Sequence, residues 1–194
     1  MKYLQKFREY FSERTIFTIR DVKFFLSDLG VSKGYQYLLI SNLLKKGEIK
    51  KLKRGVYTFG NDPMLANFAF SPSYHGLQDA LSLLDLWDQE TNTIVVTPLK
   101  VRIGFREMFG SKVFVRRIDR RMFFGFDTIK YFDYWIPVSD VEKTFIDFVY
   151  FKEPLSKAVL TEMKKRINKR KLNDYLKRCT KHLKKQVLLI YKSI

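Results

Sequence analysis

The segment between Thr18 and Tyr57 constrains the fold most, because two helix patterns and a hairpin pattern follow each other there without a long loop. Thr18 is a favourable helix N-cap, and Asp21 stands three residues later, where a carboxylate completes a capping box. Gly30 suits the left-handed conformation that ends many helices. The segment therefore predicts a short helix whose core-facing residues recur at helical spacing: Val22, Phe25 and Leu29.

A second helix is predicted directly afterwards, with Ser32 as its N-cap and Gly47 at its end. One face of this helix is predicted to be apolar and to pack on a core: Tyr37, Ile40, Leu43 and Leu44. The other face carries polar side chains that we expect to be available to a partner: Lys33, Tyr35, Gln36, Ser41 and Asn42.

Residues 48–57 predict a β-hairpin with a turn at Gly55. Its apolar residues are expected to tie it to the helices: Ile49, Leu52, Val56 and Tyr57. Two helices followed by a basic hairpin predict a winged helix-turn-helix, which typically binds DNA. Winged helices also serve as structural or protein-binding modules, and this alternative remains open at the level of sequence.

In a DNA-binding winged helix, the first turns of the second helix enter the major groove, and the wing meets phosphates or the minor groove. The predicted base-edge or groove contacts are therefore Ser32, Lys33, Tyr35 and Gln36. The predicted backbone or minor-groove contacts from the wing are Lys50, Lys51, Lys53 and Arg54.

The net charge of +17 indicates a polyanionic partner, either nucleic acid or an anionic membrane surface. Residues 1–60 carry 13 Lys and Arg against 5 Asp and Glu, and residues 151–194 carry 14 against 3. Residues 61–150 carry 10 against 12, so two basic segments flank a nearly neutral one. No apolar run approaches the roughly 18 residues that span a bilayer, and the single cysteine fits a reducing compartment, so we expect a cytoplasmic protein.

These patterns predict an α+β protein with a winged helix-turn-helix DNA-binding domain in residues 1–60, packed on a second domain in residues 61–194. The second domain is predicted to contain a helix capped by Ser73, a strand over Thr93–Thr97 and a helix capped by Asp140. Residues 151–194 are expected to form basic helices.

Two further groups of cations are candidates for additional phosphate contacts, although charge runs are often only solvated surfaces. The first group lies near a predicted strand end and includes Arg116 and Arg117. The second group lies in the basic helices and includes Lys164, Lys165, Lys169 and Arg170.

Catalysis is not expected from this sequence. The one cluster resembling a nuclease site contains Asp140, Glu142, Lys143 and Asp147. On a helix, Lys143 lies between the two aspartates while Glu142 points elsewhere, which favours a capped helix with ion pairs. Two histidines and one cysteine, far apart, do not suggest a zinc site, and no phosphate-binding glycine loop is present, so we predict neither a metal nor a cofactor.

Four motifs in order resemble the AbiEi family of abortive-infection antitoxins and related transcriptional regulators. They are Arg54-Gly55-Val56-Tyr57 at the end of the wing, Ser71-Pro72-Ser73-Tyr74 leading to Ala80-Leu81, Thr93-Ile94-Val95-Val96-Thr97, and Val138-Ser139-Asp140-Val141-Glu142-Lys143-Thr144-Phe145-Ile146-Asp147.

The resemblance implies an N-terminal winged helix that binds double-stranded DNA at the promoter of its own operon and represses it. It also implies a C-terminal domain that counters a nucleotidyltransferase-like toxin, without assuming direct contact between the two proteins. We expect a monomer in solution or a dimer on DNA, and no membrane partner. The alternative is a protein-interaction module that neutralises a toxin directly, with nonspecific nucleic-acid binding from its basic ends.

Overall fold

The computed structural model describes residues 2–89 and 91–193. The chain divides into two compact units, Met1–Ala69 and Phe70–Ile194. Both contain helices and strands, so the predicted α+β class is confirmed.

The first unit has the winged-helix order of elements. These are α1 (Lys2–Phe11), β1 (Phe17–Thr18), α2 (Ile19–Asp28), α3 (Lys33–Lys45), β2 (Lys50–Lys53) and β3 (Val56–Thr58). The strands form an antiparallel sheet in the order β1-β3-β2. A single 3-10 turn, Pro63–Leu65, and the short helix α4 (Ala66–Phe70) follow.

The predicted helix ends of the helix-turn-helix are present. The Thr18 side chain accepts a hydrogen bond from the Asp21 backbone N–H, and Asp21 accepts one from the Thr18 backbone N–H at 2.7 Å, which completes the capping box of α2. Gly30 has a φ of +73°, a left-handed conformation that glycine adopts without steric cost. Ser32 caps α3 by accepting from the Tyr35 backbone N–H at 3.5 Å.

Helix α1 and strand β1 were not anticipated from the sequence. The helical signal was nevertheless present, because Phe7 and Phe11 are four residues apart and are both fully buried. Their rings lie 4.7 Å apart and pack with Phe17 of β1, so this unit has an aromatic core. The other buried members of the core are Val22, Leu26, Leu39, Ile40, Leu43, Ile49 and Tyr57.

The second unit is built on a six-stranded mixed sheet in the order β6-β7-β5-β4-β9-β8. Its strands are β4 (Tyr74–His75), β5 (Thr93–Thr97), β6 (Gly104–Met108), β7 (Ser111–Arg117), β8 (Phe126–Tyr131) and β9 (Tyr134–Ser139). The pairs β4–β9 and β5–β7 are parallel, and the remaining pairs are antiparallel. The helices are α5 (Leu77–Leu83), α6 (Val141–Phe151), α7 (Lys157–Arg166), α8 (Lys169–Leu176) and α9 (Lys181–Ser193).

Helix α5 corrects one predicted cap. Ser73 is buried just before β4 and does not cap a helix, and α5 begins only at Leu77, after Gly76. The reason is that Tyr74 and His75 pair with β5 on one side, and His75 pairs with Val138 of β9 on the other. Strand pairing therefore uses residues that a local helix pattern would have placed in the first helical turn.

Candidate nucleic-acid interface

The first turn of α3 presents three of its four predicted DNA-contacting residues to solvent. Ser32, Lys33 and Tyr35 are all exposed, and the Tyr35 ring makes an edge contact with Tyr3 at 6.3 Å between centroids. This arrangement leaves a hydroxyl, an ammonium and a phenol at the helix N-terminus, where side chains of a recognition helix reach base edges. Their contact with DNA remains a prediction.

Gln36 corrects the prediction for the fourth residue. Only 1% of Gln36 is exposed, and its Nε2 donates to Ser27 Oγ at 3.2 Å and to the Val31 carbonyl at 3.1 Å. The side chain thus ties the end of α2 to α3 instead of facing outward. It occupies the core-facing position one turn before Ile40, so it is a structural residue of the helix-turn-helix.

Tyr37 corrects the predicted apolar stripe of α3 in the opposite direction. Tyr37 is 54% exposed, and Lys23 Nζ lies 4.9 Å from the centre of its ring. The buried stripe instead runs through Gln36, Leu39, Ile40 and Leu43. Ile40 and Leu43 belong to both the predicted and the observed stripe, whereas Gln36 faces the core in place of Tyr37.

The wing forms as predicted, with β2 and β3 paired and Leu52 and Tyr57 buried. Gly55 in its turn has a φ of +76°, and an added Cβ would lie 3.3 Å from Ile19 Cγ2. Both the conformation and the space favour glycine at this turn. The pairing register shifts between Lys51 and Lys53, so the wing contains an irregularity near its tip.

The cations of the wing are free of acidic partners. Lys51, Lys53 and Arg54 are exposed, and Lys50 is half-buried. Among residues 2–89 and 91–193, none of these four has a carboxylate oxygen within 4.0 Å. The wing therefore presents positive charge that is not neutralised within the described protein.

Glu48 is the one acidic residue between Ser32 and Gly60 in the sequence. Its Oε2 accepts hydrogen bonds from Arg8 Nε at 2.9 Å and Nη2 at 2.7 Å. Because this carboxylate is already paired with α1, it does not neutralise the cations of the wing. The Arg8 contact also joins α1 to the start of the hairpin.

Arg116 corrects the prediction for the first group of additional phosphate contacts. Its guanidinium forms an ion pair with Glu153 and lies 4.7 Å from the Phe114 ring and 5.3 Å from the Phe151 ring. Burial lowers the pKa of Arg116 from its usual value. The side chain is committed to packing within the second unit, while its neighbour Arg117 is exposed.

The basic helices contain some cations in ion pairs and others that form no ion pair within 4.0 Å in the part of the chain that the structure describes. Lys165 Nζ lies 3.0 Å from Glu162, and Lys164 Nζ lies 5.5 Å from the centre of the Tyr191 ring. Lys169 and Arg170 are exposed at the start of α8. Contacts of these residues and Arg117 with phosphates remain predictions.

The cluster that resembled a nuclease site is divided between a helix cap and a buried network. Asp140 caps α6 and also accepts from the Tyr175 hydroxyl at 2.7 Å, and Glu142 accepts from the Asn168 backbone N–H at 2.6 Å. Lys143 and Asp147 form an ion pair with no solvent exposure. No group of three or more His, Cys, Asp or Glu among the described residues is placed to hold a metal ion.

The Lys143–Asp147 pair includes Tyr74 of β4 as a third member. The Tyr74 hydroxyl donates to Asp147 Oδ2 at 2.8 Å and accepts from Lys143 Nζ at 2.9 Å. Burial lowers the pKa of Lys143, raises that of Asp147 and, together with the nearby Asp147, raises that of Tyr74 well above its usual value. Sequence reasoning found the helical pair but missed Tyr74, because no local signal links β4 to α6.

None of the helices in the described part of the chain is both long and apolar enough to cross a bilayer.

Comparison with known proteins identifies the N-terminal region. No curated protein matches the chain. Residues 6–60 match the family model described as "Transcriptional regulator, AbiEi antitoxin", and the matched segment runs from α1 to the residues just after β3. The N-terminal region of this chain is therefore similar to that family, which confirms the family resemblance for residues 6–60.

Proposed function

We propose that the protein is a cytoplasmic, DNA-binding repressor of its own promoter and the antitoxin of an AbiE-like toxin–antitoxin system. The observation that carries this proposal is the wing, where Lys51, Lys53 and Arg54 are exposed and have no acidic partner among the described residues. The family match of residues 6–60 supports the same general function.

The two parts of the winged helix have different proposed roles. Ser32, Lys33 and Tyr35 read base edges in the major groove from the start of α3, and they decide which DNA is preferred. The wing cations contact phosphates or the minor groove, and they contribute affinity for any DNA. Substitutions can therefore remove the preference for one DNA sequence and the affinity for any DNA separately.

A binding titration tests the proposal. Fluorescent DNA from upstream of the gene and scrambled DNA of the same length are titrated with the protein at two salt concentrations. Wild-type protein is expected to prefer its own upstream DNA and to bind more weakly at high salt. The double variant Lys53→Glu with Arg54→Glu is expected to lose affinity for both DNAs and to reduce the salt slope by about 2, because each lost phosphate contact removes roughly 0.9.

Two variants separate specificity from charge. Tyr35→Ala is expected to reduce the preference for upstream DNA while leaving affinity for scrambled DNA nearly unchanged. Lys177→Glu with Lys184→Glu changes the net charge by the same amount as the wing variant, on exposed residues of the second unit. If this control lowers affinity as much as the wing variant does, the wing has no special role.

The antitoxin role needs its own experiment. A nucleotidyltransferase-like toxin encoded beside this gene is the proposed functional partner, and co-expression is expected to relieve its growth inhibition. Rescue without a complex on size-exclusion chromatography supports action without stable contact. The same chromatography, with and without operator DNA, distinguishes a free monomer from a dimer on DNA.

A second candidate function, direct neutralisation of a toxin, is favoured by an exposed aromatic tip on the second unit. Phe132, between β8 and β9, is 76% exposed, and Trp135 on β9 is 59% exposed. Exposed aromatic groups of this size are typical anchors of protein interfaces. Equal affinity for both DNAs, together with a toxin complex that is lost in Phe132→Ser with Trp135→Ser, would favour this function over sequence-specific repression.

A further inference from the structure

A cavity of about 470 Å³ opens in the second unit where α6 ends and α9 begins. Three residues with cationic side chains line it from three different places in the chain: Arg121, Lys152 and Arg178. The one carboxylate in its wall, Asp119, accepts a hydrogen bond from the Arg121 backbone N–H at 2.8 Å and thereby caps a 3-10 turn. The cavity, called the cationic cavity below, therefore has an excess of positive charge.

The three cations are not neutralised by the surrounding protein. None has a carboxylate oxygen within 4.0 Å among the described residues, whereas other cations of the same unit are paired, as Lys171 is with Asp140 at 3.0 Å. Like charges around one cavity repel each other, and a bound anion removes that repulsion. Arg178 is also oriented by packing, since its guanidinium carbon lies 5.1 Å from the centre of the Phe124 ring.

Lys152 adds an independent observation, because its backbone is in a conformation that lysine rarely adopts. It is the C-cap of α6, with φ 57° and ψ 36°. Glycine usually occupies such a position, because a residue with a side chain is sterically strained there. A strained residue whose side chain lines a cavity suggests a functional requirement for that side chain.

The uncharged residues in the wall of the cationic cavity indicate which other chemical groups the ligand carries besides its anionic group. Met122, Val149 and Leu183 provide apolar surface, Tyr150 provides an aromatic ring, and Gln186 provides an amide. The cavity is larger than an inorganic phosphate requires and lies in the usual size range of small-molecule sites, about 300–1,000 Å³. We propose that the cationic cavity binds a nucleoside phosphate, with its phosphates on Arg121, Lys152 and Arg178 and its base and sugar on the apolar wall.

Isothermal titration calorimetry of the full chain tests this site with ADP, GDP, pyrophosphate and adenosine. At least one nucleotide is expected to bind more tightly than pyrophosphate, and adenosine is expected to bind weakly. Arg178→Ala and Lys152→Gly are each expected to weaken nucleotide binding by about tenfold or more, since each removes one charge-assisted contact. Lys184→Ala, an exposed residue of α9 outside the cavity wall, is the matched control and is expected to bind like wild type.

Lys152→Gly also separates a lost contact from a lost fold. Glycine suits the left-handed C-cap. The thermal unfolding midpoint of the Lys152→Gly variant is therefore expected to equal or exceed that of the wild-type protein, while its nucleotide affinity falls. Loss of binding with a preserved midpoint supports the site. Unchanged nucleotide affinity in both cavity variants would overturn it.

Cys179 gives a second readout, because the chain's single cysteine is half-buried in the wall of the cationic cavity. Bound nucleotide is expected to slow alkylation of Cys179 by iodoacetamide in the wild-type protein, and to have no such effect in the Arg178→Ala variant.

Absence of binding by all four probes at millimolar concentration would overturn the proposal. Equal affinity for pyrophosphate and nucleotides would overturn the nucleoside part of it. DNA titrations report on the winged helix, so failure here is distinct from failure of the proposed function.

Discussion

In the first unit, every Asp, Glu, Lys and Arg side chain that the structure describes is exposed or half-buried, whereas the second unit encloses His75, Lys143 and Asp147 completely. The first unit packs aromatic and aliphatic groups and leaves its cations to solvent. The second unit builds its core around an ion pair and a histidine whose Nδ1 lies 2.7 Å from Asp79. The cations of the wing are thereby available to a polyanion, while the central charges of the second unit are not.

The number of charged residues in a unit therefore does not indicate what those charges do. A surface cation costs little to expose and attracts phosphates, so the wing can be altered without unfolding the protein. A buried cation is tolerated only with its partners, and removing one partner leaves a charge in a medium that solvates it poorly. The following experiments test this contrast.

Lys143→Met is expected to have the largest effect, because it leaves Asp147 buried without its cation. The free energy of unfolding of the second unit is expected to fall by about 3–5 kcal/mol. Both tryptophans, Trp87 and Trp135, belong to this unit, so tryptophan fluorescence during urea unfolding reports on it. The double variant Lys143→Met with Asp147→Leu is expected to recover much of the loss, and no recovery would contradict a role of the unpaired charge.

The free energy of unfolding of the single variant Lys143→Met is expected to depend on pH. Burial raises the pKa of Asp147, so this carboxyl holds its proton more tightly in the folded than in the unfolded state. A raised pKa favours the fold below the unfolded value of about 4 and loses that contribution as pH rises through the folded value. Without Lys143, the stability deficit is therefore expected to grow as pH rises above about 4, and a pH-independent deficit would argue against an unpaired Asp147.

Leu43→Ala tests the apolar core of the first unit. Leu43 is 1% exposed on α3, and its truncation is expected to cost about 2–5 kcal/mol through lost burial and an internal cavity. Leu38, on the same helix, is 54% exposed, so Leu38→Ala is the matched control and should change stability little. Thermal unfolding followed by far-ultraviolet circular dichroism compares the two, and similar midpoints would contradict the assigned core.

Tyr175→Phe removes the hydroxyl that donates to the cap residue Asp140. The loss is expected to be about 1–2 kcal/mol, because the acceptor is charged but the site is partly open to water. Burial and the contact with Asp140 raise the pKa of Tyr175 to about 12, so this stabilisation is present below the ordinary value of about 10 and is lost between about 10 and 12. The difference in phenolate absorbance between wild type and variant should titrate near 12, and a midpoint near 10 would contradict the contact.

Thr18→Ala is expected to have the smallest of these effects, about 1 kcal/mol, because it removes the side-chain acceptor of the α2 capping box. Thr18→Ser keeps the hydroxyl and is expected to restore most of the stability. Thermal unfolding of the first unit measures both, and equal losses in the two variants would mean that the methyl group, rather than the cap, matters.

The winged helix was largely predictable because its signals are local. Thr18, Ser32 and the turn at Gly55 specify helix and hairpin ends through residues only a few positions away. Strand β5 was predicted with its observed bounds, Thr93–Thr97, since a β-rich run between polar turns is also a local pattern. Strand β1, with two residues, was not predictable, because it exists only through its pairing with β3.

The candidate site was only partly predictable. Lys51, Lys53 and Arg54 of the wing are exposed as expected, since charged side chains in a short hairpin have no interior to enter, whereas Lys50 is half-buried. Gln36 and Tyr37 exchanged their expected positions, because the hydrogen bonds of Gln36 to Ser27 and Val31 made an amide the better inward residue. A count of charged residues also could not predict that Arg116 packs against the rings of Phe114 and Phe151.

Capping, helical spacing and turn chemistry depend on neighbours along the chain, so the order of elements, the basic wing and the pairing of Lys143 with Asp147 could be recognised without coordinates. Only the folded chain decided that Tyr74 completes this pair from 69 residues away, and that three unpaired cations surround one cavity. Those features arise from contacts between distant segments, whose burial and geometry are set by packing of the whole unit and leave no periodic trace in the sequence.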